Sequence, residues 1–356
     1  MNNTFSNSFF VSPDDTILIT GSGGFIGSRV VEGLLDRGFR RLVCFARSSD
    51  KMARIQDVVK HRYPEARLKI VEGNLLSRQD CETAVKGVAL IYHLAAGIGE
   101  KSYPDAFMNS VVTTRNLLEA SLQHAQLQRF VLISSFSVYS NQRKPRWRVL
   151  DEECPVEDHP ELRGEAYCFG KLKQEQIVTQ YGAKFGIPYV VVRPGAVYGD
   201  NHSITGRVGI DTFGLFLHLG GSNTIPFTYV DNCAEAIVLA GLVKGVDGEI
   251  FNIVDDDLPS SRQFLRLYKK NVKRFRSIFV PHSFSYALSF LWEKYSKWSE
   301  GQLPPAFNLR RWHSDWKKTR YTNGKLKARL GWRQNVSTEE GLRRYFQSCR
   351  QGGHRA

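Results

Sequence analysis

Short β-branched runs alternate with longer amphipathic stretches over the first two-thirds of the chain. Thr16-Ile17-Leu18-Ile19-Thr20 reads as a buried strand, and Phe25 to Leu35 follows it with helical spacing. Arg41 to Ala46, Leu68 to Val71, Ala89 to His93, Phe130 to Ile133 and Tyr189 to Val192 repeat the strand pattern. Strands apolar throughout are buried on both faces, and helices between them imply parallel crossovers. The pattern predicts an α/β fold, a doubly wound parallel sheet of the Rossmann type. After Gly195 the rhythm breaks. Residues 196–226 read as loops and short helices, and a strand returns at Ile250 to Val254. Further on, Phe284, Ala287, Leu288, Leu291, Trp292 and Tyr295 recur at intervals of three and four, one face of a helix. Such a face more often packs into a core than lines a pocket. The expected organisation is a Rossmann domain over 13–195 and 227–257 and a smaller, mostly helical substrate domain over 196–226 and 258–340. Residues 1–12 and 345–356 are expected to be flexible tails.

Composition narrows the class. With 356 residues, 42% hydrophobic and 24% charged, the chain is an ordinary globular protein, large for one compact unit. No run approaches the length of a membrane span, and Met1 to Asp15 lacks a basic-then-apolar secretory pattern. Six scattered cysteines with no CxxC pair argue for reduced thiols in a cytoplasm and against a zinc site; no metal is expected. The charge is lopsided. Residues 261–356 hold 22 Lys and Arg against 5 Asp and Glu, so the whole +14 excess lies in the last quarter. A solvated basic face is one reading; an anionic partner, either a diphosphate-bearing substrate or a membrane surface, is the other. The aromatic face lies between Arg274/Arg276 and Lys294/Lys297, which suits peripheral contact with anionic lipid at the inner membrane face. Nucleic acid is set aside, because no recognised motif accompanies the charge.

The first strand runs into Gly21-Ser22-Gly23-Gly24-Phe25-Ile26-Gly27 and then directly into a helix. Gly21 suits the tight turn, Gly24 a close backbone approach to a pyrophosphate, and Gly27 close helix–sheet packing. The helix start, with Phe25 and Ile26, presents free N–H groups and a partial positive charge to phosphates. Strand, glycines and helix in this order predict a dinucleotide site. At the end of the second strand an NAD site usually places a carboxylate on the ribose. This chain reads Cys44-Phe45-Ala46-Arg47-Ser48-Ser49, where Arg47 and Ser48 can pair with a 2′-phosphate. NADP is therefore the preferred cofactor, with NAD the alternative.

Tyr167-Cys168-Phe169-Gly170-Lys171 places a phenol and an amine at i and i+4 on one helix face. An adjacent ammonium favours the phenolate, so Tyr167 can exchange a proton with a substrate hydroxyl or carbonyl while hydride moves. Ser134-Ser135 closes the fifth strand, where a hydroxyl can bond the same substrate oxygen.

These segments resemble the extended short-chain dehydrogenase/reductase family, the NAD-dependent epimerase/dehydratase group, over about residues 16–345. Further landmarks are His93-Leu94-Ala95-Ala96, Ser134 to Tyr139, Arg193-Pro194-Gly195-Ala196-Val197-Tyr198-Gly199, Tyr229-Val230-Asp231 and Leu330-Gly331-Trp332. The resemblance implies catalysis by Ser135, Tyr167 and Lys171, the last two also touching the cofactor. It puts Asn74, Leu75 and Ala95 beside the adenosine and Pro194 and Val197 beside the nicotinamide. Asn74 stands where the family commonly has Asp. A homodimer is implied as well.

Dehydratases of this family carry an Asp-Glu pair just after the catalytic hydroxyl residue, and decarboxylases a Glu two residues after it. Phe136-Ser137 supplies no carboxylate, which disfavours both. Oxidoreduction of a secondary alcohol or ketone remains, on a nucleotide-sugar or lipid-like substrate, with a nucleotide-sugar 4-epimerase holding NAD as the alternative. Pro281, Trp292-Glu293, Pro304-Pro305 and Leu309-Arg310-Arg311 look more like the 3β-hydroxysteroid dehydrogenase branch. A non-enzymatic NADP(H)-sensing regulator ranks behind, since such proteins typically lose the tyrosine or lysine and both are present.

Overall fold

Six of the apolar runs become β1 (Thr16–Thr20), β2 (Arg41–Ala46), β3 (Arg67–Glu72), β4 (Val88–His93), β5 (Arg129–Ile133) and β6 (Tyr189–Pro194). Beyond them lie β7 (Ala196–Tyr198), β8 (Gly209–Thr212), β9 (Leu215–His218), β10 (Phe227–Tyr229), β11 (Ile250–Ile253) and β12 (Ser277–Phe279). The computed structural model describes residues 9–97, 102–142, 144–145, 148–200, 206–212, 214–299 and 308–352. Seven strands form one sheet in the order β3-β2-β1-β4-β5-β6-β11, every pairing parallel.

Burial on both faces explains the unbroken apolar runs. Ile17 and Ile19 of β1 join one core with Leu90, Val131 and Val190, while Leu18 turns the other way to join Ile91, Leu132 and Val191. Helices cover both faces: α1 (Phe25–Leu35), α2 (Ala53–Arg62), α3 (Arg78–Val85), α4 (Tyr103–Ala106), α5 (Thr113–His124), α6 (Ala166–Phe185) and α7 (Val230–Leu242). A π-helical stretch, Phe107–Val112, joins α4 to α5. The sheet order reverses between β1 and β4, so the loops after these two strands share one crevice, the usual ligand position in such sheets.

The remaining helices are α8 (Ser261–Asn271), α9 (His282–Trp298), α10 (Leu309–Asp315), α11 (Gly324–Leu330) and α12 (Thr338–Gly352). Four expectations are corrected here. The described residues of 196–226 form three short strands rather than short helices. β7 pairs with β10, and β9 lies between β8 and β12 in a small sheet. Residues 9–12 are not a free tail: Val11 is buried, Phe10 N–H donates to the Leu242 carbonyl at 3.4 Å, and the Arg129 guanidinium sits 4.2 Å over the Phe10 ring. Residues 345–352 are the end of α12, and Tyr345 and Phe346 pack with Phe264 and Tyr198 in an aromatic core. The aromatic side of α9, expected in a core, faces solvent. Pro304-Pro305, the first eight residues and the last four lie outside the described residues.

Candidate active site

The glycine loop is built as its spacing requires. Gly21 adopts φ +70°, a conformation that only glycine takes without strain. A side chain on Gly27 would put its Cβ 2.1 Å from the Gly21 carbonyl oxygen, and one on Gly21 would press on the Ala95 backbone nitrogen at 3.1 Å. Gly24 caps α1 with extended backbone and no side-chain acceptor, and no acidic residue stands in the first turn. The start of α1 therefore carries no side-chain cap from Gly24 and no acidic side chain, and the cradle suits a pyrophosphate.

The β4 loop is fixed by a buried chain of hydrogen bonds. The Ala95 N–H donates to Thr20 Oγ1 at 3.2 Å, and Thr20 shares a 2.8 Å bond with His93 Nδ1. His93 Nε2 lies 2.9 Å from Thr114 Oγ1, whose hydroxyl donates to the Ser110 carbonyl. Since Thr114 spends its proton on Ser110, His93 carries its own on Nε2. Burial pushes this imidazole down to about 3, so it stays neutral. Gln174 of α6 donates to the same Thr114 hydroxyl at 2.8 Å, tying the crevice between β1 and β4 to the helix that carries Tyr167 and Lys171.

On α6, Tyr167 is half-buried and its hydroxyl shares a hydrogen bond with Ser135. Ser135 also accepts from the Ser137 N–H at 3.1 Å, which holds its side chain at the end of β5. Lys171 is buried, its Nζ donating to the Ile133 carbonyl at 2.6 Å and lying 6.0 Å from the Tyr167 ring centre. The three residues therefore meet. Their electrostatics differ from the expected ones. Burial holds the Tyr167 phenol above its ordinary range, with the Ser135 hydrogen bond partly offsetting it. Burial also pulls Lys171 down to about 7, opposed by Glu175. Desolvation outweighs the pull of one amine on one phenol, so the phenol is protonated in the protein by itself.

Glu175 was not singled out from the sequence, although Tyr167, Lys171 and Glu175 follow one another at i, i+4 and i+8. It grips Arg193 through two bonds of 2.9 and 2.6 Å, and Arg193 lies 4.8 Å over the Tyr139 ring. This buried pair anchors α6 against β6 and sets the height of Lys171 above the sheet.

Beside Ser135 opens a cleft of about 280 Å³, lined by Phe136, Ser137, Arg163, Glu165, Ala196, Arg207, Arg311 and Asp315 among others. Arg163 and Arg207 are tied to Ser314, by bonds of 2.5 Å to its Oγ and 2.8 Å to its carbonyl. Both carboxylates face arginines: Glu165 stands 2.7 Å from Arg163 and 3.7 Å from Arg311, and Asp315 3.6 Å from Arg311. The sequence reading missed Arg163, Arg207 and Arg311 as cleft residues. They come from three separated segments and carry no local motif.

The remaining expected cofactor residues scatter around the crevice. Leu75 and Pro194 are buried, Ala95 and Val197 half-buried, and Asn74 and Arg47 exposed. Asn74 is turned onto its own loop, its Oδ1 accepting from Leu76 N–H at 3.0 Å. Ser48 Oγ accepts from the Asp50 N–H. The end of β2 is also not free of carboxylate. Glu72, the register partner of Ala46 on β3, accepts from the Ser49 N–H at 3.2 Å. A single-strand reading could not see a carboxylate delivered by the neighbouring strand.

Comparison with known proteins agrees with this architecture. The chain is 29% identical over 254 residues to an uncharacterized UDP-glucose epimerase of Bacillus subtilis, covering 67% of this chain and 76% of that one. It is 27% identical over 258 residues to a trifunctional UDP-glucose 4,6-dehydratase/UDP-4-keto-6-deoxy-D-glucose 3,5-epimerase/UDP-4-keto-L-rhamnose-reductase of Arabidopsis thaliana. That match covers 67% of this chain but only 36% of the plant protein. Among solved structures, a UDP-glucuronic acid 4-epimerase from Bacillus cereus, in complex with UDP-glucuronic acid and NAD, superposes with a TM-score of 0.71 at 22% identity. It covers 94% of this chain and 99% of that one. Residues 17–254, two-thirds of the chain, match one family throughout, and the chain belongs to the NAD dependent epimerase/dehydratase family.

Proposed function

We propose that this protein moves hydride between a nicotinamide dinucleotide and a secondary alcohol or ketone, on a nucleotide-sugar or lipid-linked substrate. The observation that carries the reading is the meeting of Tyr167, Ser135 and Lys171 between the dinucleotide crevice and an arginine-lined cleft. The glycine loop, with Phe25 and Ile26, would hold the pyrophosphate; Leu75 and Ala95 would flank the adenosine, and Pro194 and Val197 the nicotinamide. Bound there, the cofactor supplies a hydride acceptor or donor. Ser135 would anchor the substrate oxygen by hydrogen bond. The protonated Tyr167 is ready to donate to a carbonyl, and in the reverse direction would take the hydroxyl proton. Lys171, near neutrality and bonded to Ile133, steadies the charge on the phenol oxygen. Arg207 and Arg311 would meet the diphosphate or another anionic group. Segments 196–226 and 258–340 thus act as the substrate side.

Elimination and decarboxylation remain disfavoured. Phe136 and Ser137 line the cleft without a carboxylate, and Glu165 and Asp315 are engaged by arginines. The second reading is a nucleotide-sugar 4-epimerase. It is favoured by the Bacillus cereus structure, whose cofactor is NAD and whose ligand is UDP-glucuronic acid. At the ribose, Arg47 favours the 2′-phosphate of NADP and Glu72 the free hydroxyls of NAD. We propose NADP as the preferred partner. A homodimer is proposed too, with exposed Phe107 and Met108 on the segment leading into α5. The proposed location is the cytoplasm; among the described residues no helix is long and apolar enough to cross a membrane.

Absorbance at 340 nm, followed with NADPH or NADH against nucleotide sugars and hydrophobic ketones, separates these readings. Net turnover supports the oxidoreductase; conversion of a sugar with no net change in the nicotinamide supports the epimerase. Tyr167→Phe should lower turnover by at least about a hundredfold, the contribution of a general acid/base. Near wild-type turnover would end the assignment. Arg47→Ala should weaken NADPH binding far more than NADH binding by titration; equal losses would show that Arg47 does not read the phosphate.

A further inference from the structure

The helix α9 is built inside out. Ser285, Ser289 and Ser296 face the protein, whereas Phe284, Leu288, Leu291, Tyr295 and Trp298, at intervals of four, three, four and three, face solvent. The contrast is large: Ser289 is 2% exposed and Trp298 76%. The inner side is a made contact. Trp312 of α10 donates its indole N–H to Ser285 Oγ at 2.9 Å, and the Leu309 N–H donates to Glu293 at 3.1 Å. Small serines let α10 approach closely, so the aromatic stripe is held outward by a satisfied interface on its other side. Tyr295 and Trp298 stack on each other at 5.6 Å, which further orders the outer stripe.

Exposed apolar side chains are not confined to the helix. The edge strand β12 exposes Ile278 and Phe279. Of the sixteen exposed large apolar side chains among the described residues, ten lie between Leu267 and Trp298. A concentration of this kind marks a contact surface rather than ordinary scatter. Charge selects the occupant. From Arg262 to Trp298 the sequence holds nine Lys and Arg and one acidic residue, Glu293, which pairs with Lys297 at 2.8 Å. A second copy docking by the same face would bring two basic rims together. An anionic lipid surface would instead neutralise them while accepting the aromatic side chains.

We infer that α9 lies flat on an anionic bilayer, with Phe284, Leu288, Leu291, Tyr295 and Trp298 at the headgroup–acyl boundary and Lys294, Lys297, Arg274 and Arg276 among the phosphates. At about 1.5 Å per residue the helix is about 25 Å long, so it offers an extended footprint. Tyr and Trp suit that interface because each has an apolar body and a polar edge, and Lys294 can extend its stem to keep its ammonium at headgroup level. Docked this way, the cleft stands one helix from the lipid, since α10 contacts α9 and contributes Arg311 and Asp315 to the cleft. The inference does not depend on the reaction proposed above.

The test is co-sedimentation of the full chain with vesicles of phosphatidylcholine alone or mixed with phosphatidylglycerol, at low and high salt. We expect binding to the anionic vesicles only, falling at least tenfold on raising the salt, with a blue shift in tryptophan emission that the Trp298→Ser variant loses. Leu291→Ser/Trp298→Ser and Lys294→Glu/Lys297→Glu should each reduce binding at least tenfold while leaving the melting temperature and turnover of a soluble substrate unchanged. No binding to anionic vesicles at low salt, equal binding to neutral vesicles, or full binding by the Leu291→Ser/Trp298→Ser variant would overturn it. So would a concentration-dependent dimer that the same variant dissolves, because the face would then belong to a second copy.

Discussion

The central sheet and the helix α9 both carry dense apolar sequence, yet they use it in opposite directions. In β1, β4 and β5 nearly every residue is buried, because helices cover both faces of the sheet and no side remains for water. In α9 the apolar stripe points out and the serines point in. Hydrophobic periodicity reports that a segment has a distinct face. It does not report what covers that face, which a neighbour elsewhere in the chain decides.

That contrast is open to direct attack. The largest effect belongs to the sheet: Leu132→Ala, at a wholly buried position, should cost about 2–5 kcal/mol by denaturant unfolding. A cost below about 1 kcal/mol would mean the sheet tolerates cavities and the distinction from α9 is weaker than drawn. Next comes a buried charge rather than a buried methyl group. Lys171 is lowered to about 7, whereas the unfolded chain keeps its proton to near 10.5. Holding the ammonium inside therefore costs stability in full below about pH 7, and the cost fades as pH rises from there towards 10.5. Lys171→Met should accordingly gain on the wild type most near pH 6 and least near pH 10. A difference that stays constant with pH would show that Lys171 does not titrate on folding. The smallest effect belongs to the outward stripe, where Leu291→Ser should change stability by no more than about 0.5 kcal/mol. A loss of several times that would place Leu291 in a core after all.

Legibility followed the range of the interactions. The strands of the sheet, the α1 cradle and the Tyr167–Lys171 pair were readable because each depends on neighbours within a few residues. Gly21, Gly24 and Gly27 sit in one turn, and Tyr167 and Lys171 on one helix face. Of the short strands at 209–218, β9 escaped because one of its two partners, Ser277–Phe279, lies some sixty residues on, and β8 because its only partner is β9. The arginines of the cleft escaped for the same reason, meeting only when α10 and the segment at Arg207 close around Ser314. Glu72 shows the middle case. Its own strand was found, but its reach to the end of β2 needed the register between strands.

The clasp at the beginning of the described chain has a practical consequence. Phe9 bridges to Val243, and Phe10 lies under Arg129, which donates to the carbonyls of Ala240, Gly241 and Val243 and pairs with Asp247. These contacts gather where β5 begins, at the opposite end of the strands from the glycine loop. A biosensor tether attached upstream of Phe9 would therefore hold the molecule by the end of the sheet remote from the glycine loop, so that the proposed dinucleotide binding could be measured on the immobilised molecule.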